Sequence, residues 1–181
     1  MDVASAKLLN RHGALARLRV VFERLLETVV IALMVFMALE VLLGVTFRKL
    51  GMSLVWYDEV ASVTLAWLTY YGAALAGLKG AHIGVPELVR LMPRSGRVAM
   101  VWIAEAVVLA FLALLAGTGW SVLDALAGDT LVSLPTVPVR LTQSVIPIGA
   151  ALFFIAELLR LPELLRAARS AHPRVPPPED L

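Results

Sequence analysis

Two carboxylates stand inside long apolar runs of this 181-residue chain, Glu40 within residues 29–47 and Glu105 within residues 98–120. An ionised carboxylate facing lipid is expensive, so each must face protein, water or a proton. Glu40, about two thirds of the way along its run, has two readings. It is either a proton- or cation-coupling site or a structural carboxylate bonded to another helix or a partner subunit, and the structural reading is preferred. Glu105 has Arg97 or another interfacial cation within reach of its level and is read the same way. His82 is the one histidine near the membrane core, His12 and His172 falling in the tails. A haem or metal site in a helical bundle needs two or more inward ligands at matched depth, so His82 is read as a polar cap or interface residue. Asp58 and Glu59 are adjacent, which on a helix points them about 100° apart and rules out a shared acid/base dyad. With no cysteine there is no disulfide framework and no thiolate site. No nucleophile–base pair or glycine-rich phosphate loop occurs. The expectation is a chain with no catalytic residue, no metal and no cofactor.

The elements that position these residues follow from composition. The chain is 60% apolar and 17% charged, with mean hydropathy +0.84, well beyond a soluble domain at about 45–50% apolar. That predicts an all-α integral membrane protein. Four runs reach membrane-spanning length, at 29–47, 60–78, 98–120 and 139–159, the last with Pro147 inside it. Residues 1–28 carry Lys7, Arg11, Arg17, Arg19 and Arg24, with Leu15, Leu18, Phe22 and Leu25 at helical spacing. They read as a basic amphipathic lead-in lying on the membrane surface. The first apolar run is too long for a signal-peptide core and is expected to stay as an anchor. Residues 80–97, with Val85, Leu88, Val89 and Met92 on one face, are too short to cross a core about 30 Å thick and predict a second interfacial helix. Residues 160–181 form a tail whose end, RVPPPEDL, is expected to be disordered.

The region around the second span is the most informative. Trp56 and Tyr57 suit the headgroup layer, Asp58 and Glu59 suit a helix N-terminus, and Lys79 suits the opposite pole. Inside the span, Trp67, Tyr70 and Tyr71 with Thr64 and Gly72 make a mixed face of rings and small residues fit for close helix packing. The series Arg48, Trp56, Glu59, Trp67, Gly72 and His82, followed by Ile83 and Val85, resembles the small membrane subunit (DctQ-like) of tripartite ATP-independent periplasmic (TRAP) transporters over roughly residues 20–160. The resemblance implies a larger multi-span partner that carries the substrate and sodium sites, and a periplasmic binding protein that delivers a small organic acid. It implies a scaffolding role in the bacterial inner membrane. Glu40, Arg48, Trp56, Asp58, Glu59, Trp67, Tyr70, Gly72 and His82 are read as subunit-interface or structural polar residues. The rival reading is a self-sufficient small exporter that exchanges protons through Glu40. No pattern of basic patches interleaved with aromatics points to nucleic acid.

Charge placement predicts the topology. The N-tail, the connection between spans two and three, and the C-tail hold thirteen of the sixteen Lys and Arg, against Arg48, Lys49 and Arg140 on the opposite side. By the positive-inside rule both termini are cytoplasmic. Cysteines placed at Ser5, Ser95 and Ser170 are therefore expected to resist an impermeant thiol reagent in intact cells, while cysteines at Ser53 and Ala127 label. Labelling at position 95 in sealed cells would overturn the four-span plan.

Overall fold

The computed structural model describes residues 3–80 and 93–170, with side chains from residue 17 onward. The elements are α1 (Val3–Lys49), α2 (Tyr57–Lys79), α3 (Arg94–Ala125), α4 (Val139–Gln143) and α5 (Val145–Ser170). Among the described residues there is no strand, only an isolated bridge between Thr130 and Pro138. Four helical stretches are long and apolar enough to cross a membrane, the fourth formed by α4 and α5 together. The expected interfacial helix at 80–97 and His82 fall largely or wholly outside the described residues.

The helices overrun the apolar runs that predict them. At about 1.5 Å per residue, the 47 residues of α1 make a rod of about 70 Å, and no break marks residue 28 within it. It stops in a Schellman cap, where Met52 N–H reaches Phe47 O at 3.0 Å and Gly51 N–H reaches Arg48 O at 3.2 Å. Gly51 sits at φ +75° to make that turn. The fourth span differs from a single helix with an internal proline. Pro147 has no N–H, and its ring crowds the carbonyl four residues back, which belongs to Gln143, the last residue of α4. The helix therefore breaks at Ser144 and restarts, then continues past residue 159 to Ser170 with Pro162 inside it.

The four long helices form an open row in the order α1, α2, α5, α3, because α1 packs on α2, α2 on α5 and α5 on α3 without comparable contact between the two ends. Each end helix therefore buries one stripe. On α1 that stripe runs Leu26, Leu33, Met37, Glu40, Gly44 and Phe47, a spacing near 3.5 residues that fits a left-handed seam against one neighbour. On α3 it runs Arg97, Glu105, Leu112, Gly119 and Leu123. The remaining faces expose large apolar side chains such as Leu39, Leu42, Ile103, Phe111 and Leu114, as the bilayer permits.

Between helices in lipid, association depends on close packing at small residues, since hydrocarbon is as apolar as the side chains. At every seam a glycine receives a ring. Gly44 of α1 lies against the ring of Tyr57, Gly77 of α2 against Phe153, Gly149 of α5 against Tyr70, and Gly119 of α3 against Pro147. A methyl group at Gly149 would sit 2.7 Å from Tyr70 Cβ, and one at Gly119 would sit 3.2 Å from Pro147 Cδ. Leu26, Ala74, Leu78 and Ala156 complete a core in which α1, α2 and α5 meet. Gly77→Leu should push Phe153 and Glu157 away and cost about 1–3 kcal/mol, read as a lower melting temperature in detergent. A Cβ at Gly72 in the same helix meets nothing within 4 Å, so Gly72→Ala should not lower the melting temperature of the isolated chain.

Candidate functional site

The polar side chains collect at the two ends of the row, with Glu40 between them. At the end formed by residues 50–56 and 126–138, Glu59 in the first turn of α2 accepts the amides of Val132 at 3.0 Å and Ser133 at 2.8 Å, and the Ser133 hydroxyl as well. A carboxylate bonded to consecutive amides is a strong clamp, because charge-assisted bonds are shorter and about twice as strong as neutral ones. Leu131 N–H to Val137 O at 3.0 Å and Val139 N–H to Asp129 O at 2.9 Å close the loop beneath it. Two turns below, Trp67 donates its indole N–H to the carbonyl of Thr142 at 3.0 Å. That carbonyl is among those left without a helical donor by the break at Ser144. Trp67 also stacks on Tyr71, with ring centroids 6.2 Å apart.

The expected interface residues thus divide into several groups. Glu59, Trp67 and Tyr70 bind other elements of this chain. Trp56 is half-buried and caps α2, its carbonyl taking Val60 N–H at 3.1 Å. Arg48 and Asp58 are exposed, and Gly72 borders open space. Glu40 lies on the α1–α2 seam, 6% exposed, with neither carboxylate oxygen hydrogen-bonded among the described residues. Glu105 lies half-buried on the α3 stripe that faces α5.

The other end carries a network that sequence reasoning missed. Lys79 pairs with Glu27 and lies 3.7 Å from Glu23, tying α2 to α1. Arg19 of α1 pairs with Glu163 of α5 and also donates to Leu78 O at 3.3 Å. The Arg160 guanidinium covers Gly80, the left-handed residue that ends α2. Three cations therefore surround the negative pole of α2. Arg97, 5% exposed, donates to Ala168 O at 3.2 Å and ties α3 to α5. Glu157 is 3% exposed in the α2–α5 seam, beside Gly77 and under the influence of Arg160. One signal was available in the hairpin. A short connection makes α1 and α2 antiparallel, so a pairing at Gly44 and Tyr57 carries through to Glu23 and Lys79.

No three His, Asp or Glu side chains converge on a possible metal position among the described residues. A cavity of about 290 Å³ lies over α2, lined by Leu33, Phe36, Val60, Trp67, Leu134 and Leu141 among others. Its polar lining groups are spent inside the chain: Thr64 donates to Val60 O and Thr142 to Val139 O. No charged side chain lines it.

The clamp at Glu59 makes a measurable claim. Glu59→Ala removes a charged acceptor from two amides, and hydrogen exchange at Val132 and Ser133 should accelerate about ten- to hundredfold. Lys79→Met at the other end breaks only exposed pairs and should lower stability by no more than about 1 kcal/mol.

Comparison with curated proteins returns no match. The family model for "Tripartite ATP-independent periplasmic transporters, DctQ component" matches residues 37–167, a stretch that begins three residues before Glu40 and takes in α2, α3, α4 and nearly all of α5. With most of the chain covered and four membrane-length helices in place, this protein belongs to the DctQ family, the small membrane subunits of TRAP transporters.

Proposed function

We propose that the chain is the scaffold of its transporter, an apolar layer that widens and anchors a larger multi-span subunit carrying the substrate and sodium sites. A soluble binding protein in the periplasm delivers a small organic acid to that larger subunit. The layer sits in the bacterial inner membrane with both termini cytoplasmic. The observation that carries this reading is the open row. Four helices joined edge to edge have two broad apolar faces and no enclosed interior, so the described residues supply neither a polar chamber nor a cluster of groups able to coordinate a carboxylate and its ions. The polar residues at both ends hold the row in shape instead.

Purified alone and placed in vesicles, the chain is expected to move no substrate. With the larger subunit and binding protein added, sodium-driven uptake should appear. Robust ion-driven uptake or drug efflux by this polypeptide alone would sink the scaffold reading.

Glu40 separates scaffold from exporter. Its carboxylate sits on the seam of an end helix, where an amide keeps both the shape and the hydrogen-bonding capacity. Glu40→Gln should therefore retain at least about half of the complex's uptake. A proton-coupling carboxylate cannot be replaced by a group that does not titrate near neutral pH. Complete loss of uptake with normal expression and assembly would favour coupling through Glu40.

A further inference from the structure

Between the end of α3 and the α4–α5 segment lies a cleft of about 360 Å³, lined by Trp120, Leu123, Pro138, Arg140, Leu141, Ser144 and Ile148. Its walls are apolar and outward-facing, Trp120 being 61%, Leu141 57% and Ile148 39% exposed. At its mouth, Arg140 Nη2 lies 3.0 Å from Asp124 Oδ1, with half or more of each side chain accessible. Asp124 stands in the last turn of α3 and Arg140 in the first turn of α4, which puts the pair where two apolar spans end. That is headgroup depth. From Arg140 to Ile148 the trough descends eight residues, about 12 Å at helical rise.

We propose that this cleft binds one zwitterionic phospholipid of the ethanolamine type, its phosphate on Arg140, its ammonium on Asp124 and one acyl chain along Trp120, Leu123 and Ile148. The argument is charge complementarity. A lone arginine would favour an anionic lipid, but here a carboxylate stands beside it, so an added negative headgroup gains one contact and is repelled by the other. A phosphate joined to a primary ammonium satisfies both partners. The Ser144 hydroxyl is already donated to Leu141 O at 2.6 Å, and no further charge lines the trough. An exposed ion pair holds its own partners weakly, so a headgroup can insert between them at little cost. The guanidinium also matches phosphate oxygens two at a time.

The test is native mass spectrometry of the full chain, titrated in mild detergent with phosphatidylethanolamine, phosphatidylcholine or phosphatidylglycerol. One phosphatidylethanolamine should be retained in preference to the other two. Asp124→Asn should lower the ethanolamine-to-choline retention ratio about two- to fivefold, the span of one exposed charge contact. Ile148→Trp, which fills the trough and leaves the charged pair in place, should expel the lipid. Arg48→Gln, an exposed cation at the same end, should change nothing. Equal retention of the three lipids by the unaltered chain overturns the proposal without any variant. So does a preference for phosphatidylglycerol, full retention in Ile148→Trp, or loss of the lipid when the larger subunit co-purifies.

Discussion

Helices in a bilayer gain almost nothing by hiding apolar surface from one another, and that constraint shapes the whole chain. Contact has to come from fit. Here each of the three seams is built on a glycine that lets a ring approach its backbone: Tyr57 at Gly44, Phe153 and Tyr70 at Gly77 and Gly149, and Pro147 at Gly119. Where the ring lies, dispersion contact replaces the missing hydrophobic drive. The proline at the last seam acts twice, since it fits Gly119 and also breaks the helix at Ser144, releasing a carbonyl that Trp67 then engages.

Packing of this kind joins helices in pairs, and polar clamps at the two ends of the row set how the pairs stand. At one end Glu59 fastens the loop over α2 through two amides. At the other, Lys79, Arg19 and Arg160 surround the end of α2 and reach α1 and α5. Ion pairs of this exposure contribute little to stability individually, but they fix register along helices whose apolar faces alone would slide. Glu40 stands apart from both clamps. It occupies a seam position where one buried polar group can specify alignment at a cost in stability, and the adjoining Gly44–Tyr57 contact holds the same alignment by shape.

An open row has consequences for function that a closed bundle would not. The main contacts run α1–α2–α5–α3, with α1 reaching α5 only near Arg19 and Leu26, and much of the remaining surface is apolar. The chain belongs to the DctQ family, and no charged side chain lines the cavity over α2.

Much of this was legible from residue order. Apolar runs long enough to span a bilayer can do little else, so four spans and an all-α membrane class followed from composition and length. The series from Arg48 to His82 carried the family. Glu59 at a helix start and Lys79 at a helix end were placed by the helix dipole, but their partners were not. Those partners, Val132 and Ser133 for the one and Glu27 for the other, come from other helices or loops, and no local period encodes them. Glu157 went unweighed because it stands at the edge of an apolar run, where a carboxylate usually reaches water. The neighbouring α2 glycine at position 77 is what buries it. Lateral order was likewise invisible in sequence. Placing α5 between α2 and α3 depends on which glycine faces which ring across a seam, and only the folded chain brings those residues together.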